Sequence, residues 1–168
     1  IHTFEFFERS ARVDLTVPVQ DARWEGLLRG EPATVTRGGM ADPTVRFSMN
    51  LAGGPALVGE EFVKFRTARP VGTLVGAGLA VQIPLGQYDD DKLLNLGENR
   101  FTFRPELGVV HDHREWSAEI TGSVGMFTDN DDFLNGKRRE QDPLYALQGH
   151  LVYTFRPGLW VAGSTGYV

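Results

Sequence analysis

The chain has no cysteine among its 168 residues, which excludes disulfide staples and thiolate metal centres. It also lacks any unbroken apolar run of about 20 residues, so a bundle of membrane-spanning helices is excluded. The longest uncharged run, residues 70–88, carries Gly72, Gly76, Gly78, Pro84 and Gly86. Its bulky residues Val75, Leu79, Val81 and Ile83 alternate with Gly76, Gly78, Ala80 and Gln82, the spacing of a strand rather than a helix. There is no excess of positive charge: 17 Lys and Arg stand against 22 Asp and Glu, a net of −5. Nucleic acid is therefore not an expected partner. No Gly-x-Ser-x-Gly elbow is present, and the glycines at 53 and 54 fit no phosphate-binding loop. A basic-then-apolar leader is missing too, so any signal peptide is expected to have been removed or to lie outside this stretch.

What remains is alternation. Over residues 100–109, Phe101, Phe103, Pro105, Leu107 and Val109 fall on one face of a strand. Arg100, Thr102, Arg104, Glu106 and Gly108 fall on the other. Seven further segments show strand character: residues 3–7, 11–20, 43–52, 70–85, 115–128, 143–155 and 159–167. A soluble protein turns such apolar faces into a core, whereas a membrane barrel turns them into lipid and keeps the polar faces inside. A mean hydropathy of −0.23, with 41% hydrophobic and 23% charged residues, is compatible with both. Twenty glycines suit tightly curved sheet.

Connection length favours the membrane. Segments 8–10, 111–114 and 156–158 read as tight turns, while 21–41, 86–98 and 129–142 are long and rich in Asp, Asn and Gly. With antiparallel neighbours, the short turns lie at one end and the long acidic loops at the other, as in outer-membrane barrels. Only the long connection 53–69 breaks the pattern, and its residues 59–66 read as a short helix. Phe101, Phe103, Trp116, Phe127, Tyr145, Tyr153, Phe155 and Trp160 fall near strand ends, where barrels carry aromatic girdles. The expectation is an all-β fold: an antiparallel transmembrane β-barrel of outer-membrane type with about eight strands visible. It would form a single barrel domain over residues 1–168, incomplete at both ends, because the first and last strands both lie at the wrong polarity for barrel termini.

Four segments carry a resemblance: ADPTVRFSMNLAGGPAL at 41–57, PLGQYDDDKLLNLGENRFTFRPELGV at 84–109, FTDNDDF at 127–133 and REQDPLYALQGHLVYTFRPGLW at 139–160. They resemble a family of Gram-negative outer-membrane proteins known as MetA-pathway of phenol degradation proteins. The resemblance implies a transmembrane β-barrel and a role in passing aromatic or other hydrophobic compounds across the outer membrane. It implies no catalytic set and no cofactor. The expected partners are outer-membrane lipid and a small hydrophobic or aromatic solute.

If the polar faces line a lumen, the inward set is Arg46, Asn50, Gln82, Arg100, Arg104, Glu106, Glu119, Gln148 and His150. Rings of charge inside a pore select solutes. The blander reading makes Arg104, Glu106 and Glu119 an ion-pair network that holds a narrow, filled barrel together. The clusters 89–91 and 129–132 could offer oxygens to Ca²⁺, but an EF-hand glycine and glutamate are missing, and solvated loop is preferred. Lys137, Arg138 and Arg139 would meet lipopolysaccharide phosphates or balance neighbouring acids, the second being favoured. His111 and His113 read as a surface turn without a third metal ligand. His150 with Ser117 or Ser123 leaves open an outer-membrane acyl hydrolase. A non-transporting structural barrel and a soluble lipocalin-like binding barrel also compete with passive transport.

Overall fold

The computed structural model describes residues 1–28, 30–57 and 59–168; residues 29 and 58 fall inside two of the long connections. In chain order the elements are β1 His2–Phe6, β2 Arg9–Thr16, β3 Val19–Leu28, β4 Glu31–Met40, β5 Thr44–Ala52 and the helix α1 Glu60–Ala68. There follow β6 Val71–Gln82, β7 Thr102–His113, β8 Trp116–Phe127, β9 Asn130–Phe133, β10 Lys137–Arg139, β11 Leu144–Arg156 and β12 Leu159–Tyr167. Eight strands build one sheet in the order β1-β2-β5-β6-β7-β8-β11-β12, every neighbour antiparallel. These are the eight strands that alternation marks out, with ends displaced by at most four residues. Among the described residues the outer edges of β1 and β12 pair with nothing.

Register fixes the two faces. Val109 pairs with Val75 and Ile120, and Ile120 pairs with Gly149. Leu107, Ile120, Leu147 and Leu151 therefore share one face, and there they are 55, 61, 56 and 48% exposed. A soluble sandwich or lipocalin would bury them; here the buried hydrophobic residues, among those described, are only Ala11, Ala80 and Leu96. The opposite face is concave, because β1, β2, β5, β6, β7 and β8 all contribute residues to one cavity on that side. Strands of 12 or 13 residues in β6, β7, β8 and β11 exceed the roughly 9–11 that a tilted strand needs to span hydrocarbon. Apolar outside and polar within is the pattern of a transmembrane barrel wall.

The tight turns fall at residues 7–8, 114–115 and 157–158, all at one end. Phe7, Glu8 and Arg114 adopt left-handed φ of 48, 56 and 56° there, the backbone that a two-residue hairpin turn requires. Three expectations need correction. The segment 21–41 is not a loop but the hairpin β3–β4, which begins at Val19 after the break at Pro18. Segment 129–142 likewise holds the short hairpin β9–β10. Both ribbons stand outside the eight-stranded sheet. In β3–β4 one face carries the part-buried Ala22, Trp24, Ala33 and Val35 and the other the exposed Asp21, Arg23, Glu25, Thr34 and Thr36, a short alternation set among Gly, Asp and Pro that reads as loop. Thirdly, β7 runs on to His113, so His111 and His113 lie in a strand and not in the turn. Their rings stack at 6.5 Å, and His111 Nδ1 meets Thr73 Oγ1 at 2.9 Å.

The aromatic residues divide between the two ends of the convex face. Trp116, Tyr153 and Phe155 cluster toward the turn end, with ring centroids 4.8 and 4.9 Å apart. Phe101 and Phe103 stack at the loop end. Phe127, opposite Thr102, and Trp160, opposite Thr154, sit instead on the concave side by register. Those two do not belong to the girdles.

Candidate lumen site

At the middle of the concave face three glycines meet. Gly76 pairs with Gly108, and Gly78 pairs with Glu106. A Cβ at Gly78 would stand 2.6 Å from Glu106 Oε1, and one at Gly108 would stand 3.0 Å from Thr121 Oγ1. Their missing side chains open a cavity of about 430 Å³. Arg12, Arg46, Asn50, Glu106, Glu119 and Thr121 rim it, with Leu57, Leu74 and Val110 as apolar lining. Polar groups ringing a partly apolar hollow suit a small amphipathic molecule.

Arg46 of β5 reaches across β6 to Glu106 of β7, donating from Nε at 2.7 Å and also from Nη2. The glycine at 78 is what lets this pair pass over the intervening strand. Arg12 donates from Nε to Asp14, two residues along the same face, at 2.7 and 2.8 Å. Glu119 accepts from Thr121 Oγ1 at 3.1 Å. The expected network of Arg104, Glu106 and Glu119 is therefore not what forms: Glu106 pairs with Arg46, and Arg104 makes no ion pair among the described residues. Asn50 lines the cavity, yet its Nδ2 is buried with no hydrogen-bond partner among the described residues. Gln148 and His150 lie on the concave side of β11, opposite Thr121 and Glu119.

His150 Nδ1 lies 2.7 Å from Ser164 Oγ on β12. This is neither Ser117 nor Ser123. No carboxylate bonds the imidazole among the described residues, so the pair does not assemble the three-member relay that nucleophilic hydrolysis uses.

Two of the candidate residues belong to a different structure. Gln82 and Arg100 sit where the strands meet the long loops. Gln82 Nε2 donates to Asp42 at 3.2 Å, and the same buried carboxylate accepts the backbone N–H groups of Gly86 at 2.8 Å and Glu98 at 2.7 Å. Arg100 is only 2% exposed. It donates to Glu98 at 2.9 Å and to Gln141 at 2.5 Å, and lies 4.5 Å over the Phe127 ring. Asn130, 1% exposed, donates to Tyr88 Oη and Glu98 O and accepts from Asn99 Nδ2 and the Asp132 N–H, all within 3.1 Å. The loops are thus stitched into a cap by Asp42, Arg100 and Asn130. Of these, only Arg100 stands out in the sequence, and for a different role. Asp42 and Asn130 sit in loop sequence rich in Asp and Asn, where nothing separates a hub from a solvated neighbour.

Charge in the cap is locally balanced. Arg138 pairs with Asp129, Asp131 and Glu140, and the bonded Asp129 carboxylate raises its pKa above the ordinary arginine value. Lys92, donating at 2.6 Å, holds the Asp89 carboxyl below the usual carboxylate range. Arg138 therefore meets its neighbouring acids rather than standing free, and Arg139 lies 5.7 Å over the Phe133 ring.

A curved antiparallel sheet with lipid-type residues outside and an ion-paired hollow inside defines the wall of a transmembrane β-barrel of outer-membrane type. The chain belongs to the family described as "Putative MetA-pathway of phenol degradation", whose model matches residues 3–168. Its fold is similar to the crystal structure of the COG4313 outer membrane channel from Pseudomonas putida F1, with a TM-score of 0.72 at 23% sequence identity. That similarity covers 98% of this chain and 56% of the channel, so the chain spans little more than half of that protein's length. No curated protein sequence matches it.

Proposed function

We propose that this chain forms part of the wall of an outer-membrane channel through which small hydrophobic or aromatic compounds diffuse passively. The observation that carries this is the inversion of the sheet. Its exposed leucines and isoleucine face outward, while its charged residues face a cavity of about 430 Å³, within the roughly 300–1,000 Å³ typical of small-molecule sites. A solute would meet the loop cap, enter the glycine-floored hollow, and leave with no energy-coupling step. The family description and the outer membrane channel of similar fold support the same class of role. Strands pairing with the free edges of β1 and β12 would complete the cylinder.

Flux tests the proposal. Full-length protein in liposomes should speed the entry of phenol-sized solutes over protein-free vesicles, and Gly78→Leu should slow it by filling the floor. Equal rates with and without protein would leave a purely structural barrel. The ion pairs inside the lumen favour that second reading, since small barrels are filled by their own side chains.

A further inference from the structure

We propose, on the channel reading above, that the connection between β5 and β6 is a plug closing the turn end of the lumen, with Arg66–Asp112 as its latch. It is long at the end where the other connections are two-residue turns. At Gly53 the backbone turns with φ +95°, so tightly that a Cβ would collide with the Thr73 carbonyl. Gly54 then lies against the Asn50 amide and the Leu74 side chain on the concave face. Further on, the Leu57 N–H donates to Ser10 Oγ of β2 at 2.9 Å. Arg66 of α1 donates to both oxygens of Asp112 on β7, at 3.0 Å from Nε and 2.7 Å from Nη2. The segment thus touches the inner faces of β2, β5, β6 and β7, and Leu57, Gly59 and Arg66 form one side of the central cavity.

Its attachment is slight. The helix has nine residues and no side-chain N-cap bond, shorter than the roughly 12–15 at which isolated helices become even marginally stable. Val63 is 62% exposed, and the Lys64–Glu60 pair is solvated. Among the described residues, the polar tie between α1 itself and the wall is the two-pronged Arg66–Asp112 contact, while Ser10 holds the segment ahead of it at Pro55 and Leu57. Beneath the segment, the buried Asn50 Nδ2 has no partner among the described residues, a penalty that water would relieve once the segment lifts. A short helix, one latch and an unsatisfied donor together describe an element that can leave.

Single-channel conductance of the full-length protein in planar bilayers tests this. Asp112→Asn and Arg66→Gln should each raise the open fraction about two- to fivefold, the scale of losing one partly exposed ion pair. The double variant should add little to either. The chain has no cysteine, so Ser10→Cys with Leu57→Cys introduces the only thiols in this stretch. Oxidation should hold the channel shut even in the Asp112→Asn background, and reduction should reopen it. Conductance unchanged in both latch variants, or unaltered by oxidation, overturns the plug. Silence in the wild type and every variant overturns the channel reading and the plug with it.

Discussion

Replacing Ile120 with arginine discriminates between water and hydrocarbon at the convex face. Ile120 sits midway along β8, on the face shared with Val109, and is 61% exposed. In water, a substitution at so open a position away from special features shifts stability by no more than about 0.5 kcal/mol. In a bilayer the same side chain lies near the hydrocarbon midplane, where arginine costs about 2–4 kcal/mol. That is a roughly 30- to 1,000-fold fall in the folding constant. Folding of the full-length protein into phospholipid vesicles, followed across a urea series, reads the difference. Thr121→Lys, one residue away on the concave face beside Glu119, is the control and should cost under about 1 kcal/mol, the scale of a surface pair. If Ile120→Arg folds as stably as the wild type, the outer face is not in lipid and the barrel reading fails.

Other outcomes follow from the site and the cap. Asn130→Ala removes a side chain with four hydrogen bonds at a 1% exposed position and should destabilise the loops by about 2–4 kcal/mol, read as faster proteolysis within residues 86–98. Asp42→Ala strips the acceptor shared by Gly86, Glu98 and Gln82, so amide exchange at Gly86 and Glu98 should accelerate while β7 and β8 stay protected. Glu106→Gln frees the Arg46 guanidinium inside the lumen, so the reversal potential across a salt gradient should shift toward anion selectivity. Because Lys92 stabilises the ionised Asp89 carboxyl, the Lys92 contact should persist as pH falls to the ordinary aspartate value of about 3.9 and be lost only below it, visible as a chemical shift change at Lys92.

Alternation of apolar and polar residues was enough to locate the eight spanning strands, because a strand with one face in lipid must repeat every second residue. The order of the sheet followed from the short turns, and the girdle positions of Trp116, Tyr153 and Phe155 followed from strand ends. What stayed hidden lies outside that sheet. The hairpins β3–β4 and β9–β10 sit in segments whose Asp, Asn and Gly content reads as loop, although in β3–β4 the part-buried Trp24 and Val35 do alternate with Arg23, Glu25, Thr34 and Thr36. Arg100 has the parity of a lumen residue by strand spacing, yet it precedes β7 and folds under the loops.

Period-two patterning by itself therefore determined the class of fold and the two faces of the eight strands in the main sheet, since both depend only on local geometry. The partners across the hollow were decided by tertiary structure alone. Arg46 meets Glu106 because three adjacent strands curve and Gly78 leaves the space; Arg66 meets Asp112 because a long connection folds inward rather than out. Such contacts join residues 46 to 60 positions apart, and a rule that repeats every two residues carries no information about them.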